Sequence, residues 1–229
     1  MTELITALDY PDAQSALKTV DLIGPSCQWY KVGKELFTAV GPAIVQELKA
    51  RGKKVFLDMK FHDIPNTVSK AVHSDASIGA DLCNVHASGG TAMLTAAGQA
   101  AKDAGILLVA VTVLTSMDAA ELASIGLTVT PQEQVKRLAL LTQACGVPGV
   151  VCSALELPVI RTTCGPEFIT VVPGIRPTGS SADDQKRIMT PAQAAQAGAT
   201  YIVVGRPITK AENPAEAAAA IAATLASRR

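Results

Sequence analysis

LCNVHASGGTAMLTAAGQAAKDAGILLVAVTV, residues 82–113, holds one full unit of the architecture. An apolar run, Leu82–Val85, leads through glycines into the Ala-rich segment Thr91–Ala104, and a second apolar run, Ile106–Val113, follows. Short apolar runs bounded by turn residues suit strands buried on both faces, and the Ala-rich piece, with helical spacing, suits a crossover helix. The same alternation extends outward in both directions. Further strand-like runs are Leu4–Leu8, Trp29–Val32, Val55–Leu57, Gly149–Cys152, Phe168–Val172 and Tyr201–Val204, and helix-like segments are Pro42–Ala50, Pro131–Cys145 and Pro191–Ala197. Strands alternating with helices imply a parallel sheet. Eight such units in 229 residues allow about 29 residues each, near the lower size limit of a (β/α)8 TIM barrel. The rival, an open doubly wound sheet, usually carries a Gly-rich fingerprint after its first strand, where this chain reads Leu8-Asp9-Tyr10-Pro11. The expectation is therefore an α/β protein with one (β/α)8 barrel domain over residues 1–229.

Two helix starts are marked by their caps. Thr190-Pro191-Ala192-Gln193 resembles a capping box with proline at the first helical position, and Asn213-Pro214-Ala215-Glu216 repeats the logic for the last helix. Between them, residues 175–189 are long, polar and without apolar periodicity, a texture typical of functional or disordered loops.

Composition excludes several classes of function. Hydrophobic residues make up 48% and charged residues 17%, which excludes a disordered chain. Twenty basic side chains balance twenty acidic ones, so no general nucleic-acid-binding surface is expected, and an anion site must be built locally. No apolar stretch is long enough for a bilayer span, and the N-terminus enters a strand-like run with no leader pattern, so neither a membrane nor an export role is expected. Five cysteines without a C-x-x-C pair point to a reducing cytoplasm.

Barrel enzymes place their chemistry at the carboxyl ends of the strands. Those ends read Asp9, Lys31, Asp58 with Lys60, His86, Thr115 with Ser116, Pro173-Gly174-Ile175-Arg176 and Gly205-Arg206. In extended chain Asp58 and Lys60 point to one side, Asp63 follows after a short turn, and Lys31 ends the preceding strand. The spacing allows Lys31, Asp58, Lys60 and Asp63 to converge into one array of alternating charge. Each pair about 4 Å apart is worth roughly 4 kcal/mol at an effective dielectric of about 20. A surface salt-bridge network would be the plainer explanation of such residues, and it would contribute little. Gly174 and Gly205 let backbone amides approach an oxyanion, Arg206 adds a bidentate fork, and the loops after the seventh and eighth strands are the usual phosphate position in barrels. Arg176 and Gln185, in the long polar loop, are placed to fold over a ligand. His62, His73 and His86 have no metal-ligand spacing, and no serine-hydrolase, zinc-protease or P-loop motif is present.

At this point a family resemblance is evident. Lys31-Val-Gly-Lys-Glu35, Asp58-Met-Lys-Phe-His-Asp-Ile-Pro-Asn-Thr67, Asn84-Val-His-Ala-Ser-Gly-Gly90, Val113-Leu-Thr-Ser116, Pro173-Gly-Ile-Arg-Pro177 and Gly205-Arg-Pro207 together closely resemble the orotidine 5′-phosphate decarboxylases, in particular the short bacterial type. The match runs from Leu8-Asp9 to Arg206-Pro207. Met59 stands where leucine is frequent in the family, a change that leaves the charges untouched.

The resemblance implies a (β/α)8 homodimer that converts orotidine 5′-phosphate to UMP and carbon dioxide, the last step of de novo pyrimidine nucleotide synthesis, with no metal and no organic cofactor. It implies Lys60 as proton donor to pyrimidine C6, with Lys31, Asp58 and Asp63 completing the charged array. It also implies that Asp63 and Thr67 reach the neighbouring subunit's site. Asp9 and Lys31 are expected near the ribose hydroxyls, Thr115 and Ser116 near the pyrimidine, and Arg176, Gln185, Gly205 and Arg206 at the phosphate. Two rivals remain: a metal-dependent sugar-phosphate decarboxylase or synthase on the same scaffold, whose resemblance to this chain stops at Asp-x-Lys-x-x-Asp and which carries an acidic metal ligand where Lys31 stands, and a non-catalytic phosphoribosyl-ligand sensor.

Overall fold

A computed structural model of the chain describes residues 1–177 and 189–226. Eight strands close a parallel barrel in chain order: β1 Glu3–Leu8, β2 Trp29–Gly33, β3 Lys54–Phe61, β4 Leu82–His86, β5 Leu107–Val111, β6 Gly149–Val151, β7 Ile169–Val172 and β8 Tyr201–Val204. β8 returns to β1 with Glu3 opposite Tyr201 and Thr6 opposite Val204. The (β/α)8 expectation holds, and each expected strand is present. Strand β3 runs on to Phe61, beyond the expected Leu57, so the Asp58-Met59-Lys60 segment lies inside the strand. Strand β5 ends at Val111, two residues early.

Two apolar layers build the core. Outward-facing strand residues such as Leu4, Tyr30, Leu57, Val85, Leu108 and Ile202 pack beneath the helices. Inward-facing residues fill the barrel itself: Ile5 and Ala7, Trp29, Phe56, Leu82, Val109, Val171, and Tyr201 with Val203. The amino-terminal end of the barrel is plugged by Trp29, packed edge-to-face on Tyr201 at 5.4 Å and donating from Nε1 to Glu3 at 3.0 Å. Arg161 ties the segment leading into β7 to that leading into β8 by donating to the carbonyls of Phe168 and Gly198.

The helices begin where their caps predict. Thr190 and Gln193 form a reciprocal capping box at the start of helix Pro191–Gln196. Asn213 Oδ1 accepts from the Glu216 amide at the start of helix Pro214–Ala226. Beyond β7, Ile175 bridges Met189, and the Arg176 amide donates to the Met189 carbonyl at 3.0 Å. No helix among the described residues is long and apolar enough to cross a membrane. The five cysteines are free thiols, with Cys27, Cys83 and Cys152 buried.

Candidate active site

The period-two alternation that fills the barrel also builds the site. One alternation beyond the inward residues Ala7, Trp29, Phe56, Leu82 and Val203 stand Asp9, Lys31, Asp58, Asn84 and Gly205. The interior column is apolar below and changes to charged and polar side chains at the carboxyl end. Three of these groups, Asp9, Lys31 and Asp58, form with Lys60 a continuous chain of opposite charges. Lys31 Nζ lies 3.0 Å from Asp9 Oδ1 and 3.5 Å from Asp58 Oδ2, and Lys60 Nζ lies 2.5 Å from Asp58 Oδ1.

Asp58 is the centre of this array. It is buried, and each carboxylate oxygen faces an ammonium. Burial pushes its carboxyl up, but Lys31, Lys60 and the hydrogen bonds from Lys60 and Asn84 outweigh it and hold the group below the usual carboxylate range. Burial likewise opposes the charge on Lys31, and Asp58 and then Asp9 overcome it, so its ammonium titrates above the ordinary lysine value. Asp9 itself is solvent-exposed, so its pair with Lys31 is the weaker end of the chain.

The arrangement depends on a local departure from strand geometry. Leu57 pairs with Cys83 and Phe61 with Val85, so four steps along β3 are matched by two along β4. Lys60 lies within the excess segment and takes a left-handed backbone, φ 56°, unusual for a residue with a side chain. Its amide donates to Asn84 Oδ1 at 2.7 Å, and Asn84 Nδ2 donates to Asp58 Oδ1 at 2.7 Å. Asn84 is fully buried and is the site residue that spacing alone did not reveal.

The remaining sequence candidates fall into three groups. Asp63, expected to converge on the array, lies outside it within this chain: it is exposed and accepts from the Ile64 amide at 2.6 Å. The chain turns at Ile64-Pro65 into helix Pro65–Ser77 and carries Asp63 away, while Asp9 supplies the fourth charge. Asp63 instead lines an open cleft of about 570 Å³ with His62, Ile64, Pro65 and Met93, and Thr67 is exposed on the first turn of the helix. Thr115 and Ser116 form a turn after β5, half-buried and exposed respectively. At the late strand ends Gly174 is left-handed at φ 76°, Arg176 is buried and donates to the Ile175 carbonyl, and Arg206 opens helix Arg206–Thr209 directly after Gly205. A methyl group on Gly205 would sit 3.7 Å from Asp9 Oδ2, which places this glycine at the same mouth as the charged chain. Gln185 lies outside the described residues. His86, inward on β4, faces the His62 ring at 5.6 Å; burial, His62, Lys60 and Lys34 hold its pKa below the usual imidazole value.

Chemically, the site offers a cation anchored by a buried carboxylate at the centre of a barrel mouth, with an arginine and a glycine-backed helix start on one rim. Among the described residues, no group of three or more His, Cys, Asp or Glu side chains is placed to hold a metal ion. The chain is similar to known proteins along nearly its whole length. The orotidine 5′-phosphate decarboxylase of Sodalis glossinidius (strain morsitans) is 54% identical over 221 residues, covering 95% of this chain and 88% of the relative. That of Aliivibrio fischeri (strain MJ11) is 54% identical over 228 residues, covering 98% of this chain and 97% of the relative. Among solved structures, the orotidine 5′-phosphate decarboxylase of Lactobacillus acidophilus superposes with a TM-score of 0.87 at 35% identity, covering 98% of this chain and 99% of that one. An uncharacterized conserved protein from Geobacillus kaustophilus gives a TM-score of 0.85 at 38% identity, covering 97% and 99%. Residues 2–221 match the family described as Orotidine 5′-phosphate decarboxylase / HUMPS, and with relatives this similar along nearly its whole length the chain belongs to that family.

Proposed function

We propose that this protein is a carboxy-lyase that converts orotidine 5′-phosphate to UMP and carbon dioxide, and that it works as a cytoplasmic homodimer without a metal or an organic cofactor. The observation that carries the reading is the Asp9–Lys31–Asp58–Lys60 chain, with the Lys60 ammonium anchored at the barrel mouth in a chain 54% identical to an orotidine 5′-phosphate decarboxylase.

Loss of carbon dioxide leaves an electron pair in an sp2 orbital at C6 of the pyrimidine, with no adjacent π system to accept it. A fixed cation against that carbon stabilises the developing charge, and the same group supplies the proton that replaces the carboxylate. Lys60 fills both roles. Its position is set before substrate arrives, by Asp58 on its side chain and Asn84 on its backbone, so little reorganisation accompanies the reaction. Any repulsion between the Asp58 carboxylate and the substrate carboxylate acts in addition to the charge stabilisation. Lys31 and Asp9 take the ribose hydroxyls, and Thr115 and Ser116 the pyrimidine. Gly205 and Arg206 take the phosphate, together with Arg176 and Gln185. Phosphate contacts remote from C6 contribute binding energy that is converted into rate.

Asp63 and Thr67 serve the site of the other subunit. Their exposure in a single chain, beside an exposed Ile64, supports that assignment: a carboxylate, a hydroxyl and an apolar side chain at one edge of the mouth suit contact with a second copy.

The test is a spectrophotometric assay of purified protein with orotidine 5′-phosphate beside a Lys60→Ala control. The expected result is robust turnover by the wild type and a loss of at least about 10³-fold in the variant, as expected when one group supplies both charge stabilisation and proton transfer. Tight UMP binding with no carbon dioxide release would overturn the reading in favour of a ligand sensor.

A further inference from the structure

The geometry assigns to Asn84 a positioning role: through the two ends of its carboxamide it fixes both the backbone of Lys60 and the carboxylate of Asp58. The inference rests on the reading of Lys60 as proton donor and extends it to a residue on the neighbouring strand. Asn84 is 1% exposed and inward-facing on β4. The β3–β4 ladder breaks between Leu57 and Phe61, so the Lys60 amide has lost a regular strand acceptor, and the Asn84 side-chain oxygen replaces it. That hydrogen bond holds the left-handed turn at Lys60, a conformation that persists only where its surroundings over-determine it.

The other end of the same amide donates to Asp58 Oδ1, the oxygen that also receives the Lys60 ammonium. Oδ2 is thereby left to Lys31. One neutral side chain thus sets the backbone from which Lys60 rises and the rotation of the carboxylate that anchors its tip. The chemistry of the two partners explains the residue type. The Lys60 amide only donates and the Asp58 carboxylate only accepts, so the bridging side chain must carry one acceptor and one donor on a short stem. Leucine has neither group, glutamine is one methylene too long, and aspartate offers a donor only while protonated.

The experiment compares Asn84→Ala and Asn84→Asp in the full chain, with kcat and KM for orotidine 5′-phosphate measured from about pH 5 to about pH 9, the range in which a buried carboxyl beside another carboxylate is expected to titrate. Circular dichroism and UMP affinity monitor folding and ligand binding. Asn84→Ala is expected to lose kcat on the order of 10²-fold, the scale of a misplacement of about 1 Å at a reacting group, with UMP affinity near that of the wild type. Asn84→Asp is expected to work at acid pH, where the introduced carboxyl is protonated and reproduces both hydrogen bonds. It should lose activity as that carboxyl ionises, through a transition absent from the wild-type profile. A folded Asn84→Ala protein with wild-type kcat, or an Asn84→Asp profile parallel to the wild type, overturns the assignment. Lys60→Ala run alongside separates the two layers: normal activity there defeats the proton-donor reading itself, whereas an inactive Lys60→Ala with unaffected Asn84 variants defeats only the positioning role.

Discussion

The Lys31 ammonium stands 3.5 Å from Oδ2 of Asp58, with only 12% and 11% of the two side chains exposed. A buried carboxylate that would otherwise invite a divalent ion is already neutralised on this side by Lys31 and on the other by Lys60. A cation entering between them would meet two ammonium groups at close range.

Turnover of orotidine 5′-phosphate is therefore expected to be unchanged in a large excess of chelator and unstimulated by added magnesium. Activity that disappears with chelator and returns with magnesium would move the protein to the metal-dependent members of this scaffold.

The phosphate rim is tested by adding a single methyl group. At Gly205 the nearest atoms to a new Cβ are Ala7 Cβ at 3.6 Å and Asp9 Oδ2 at 3.7 Å, ordinary contact distances, but the backbone there, φ -107° and ψ -105°, lies outside the regions favoured by residues with a side chain. Gly205→Ala should still fold, with Tm lowered by a few degrees, on the order of 1–3 kcal/mol of backbone strain. If the phosphate approaches this backbone, KM should rise about tenfold or more, equivalent to ~1.4 kcal/mol of lost binding. An unchanged KM would place the phosphate elsewhere on the mouth.

The strands were legible because runs buried on both faces are apolar throughout, and the charged mouth was legible because residues such as Asp9, Lys31 and Asp58 interrupt those runs at their carboxyl ends. Asp58 and Lys60 share a side as their spacing predicts, although Lys60 arrives there through a left-handed backbone rather than a regular strand. Asn84 was hidden for a physical reason. A neutral amide carries no signature in sequence, and its role arises from a register irregularity between two strands, a non-local property. That Asp63 stands apart from the array within one chain is not legible, because spacing does not encode the direction of the turn at Ile64-Pro65.

Away from the mouth, Asp75 should make stability pH-dependent. It lies on helix Pro65–Ser77, 5% exposed; its Oδ2 has no hydrogen-bond partner among the described residues, and burial pushes its carboxyl up to about 7. An unfolded aspartate releases its proton near pH 4, so between about pH 4 and about pH 7 the folded chain holds a proton that the unfolded chain has lost. Folding stability from this group therefore falls as pH rises through that window and levels off above it. Asp75→Asn should raise Tm by a few degrees at pH 8, on the order of 1–3 kcal/mol, with the advantage shrinking toward pH 4. A Tm difference independent of pH would show that Asp75 does not titrate in this way.

The shared site gives the most demanding prediction. If Lys60 serves its own subunit and Asp63 the partner's, Asp63→Ala and Lys60→Ala proteins are each nearly inactive, because every site in either homodimer lacks one group. Mixed after subunit exchange, half of the dimers are hybrids. In each hybrid one site combines an intact Lys60 from the Asp63→Ala chain with an intact Asp63 from the Lys60→Ala chain, and the other site lacks both. For a symmetric dimer at equal concentrations, recovery should therefore approach about a quarter of wild-type activity. The exposure of Asp63 and its separation from Asp58 and Lys60 within one chain make this recovery a necessary consequence of a shared site. Mixtures that remain inactive, with exchange verified by differently tagged chains, would return Asp63 to a role confined to its own subunit or its surface.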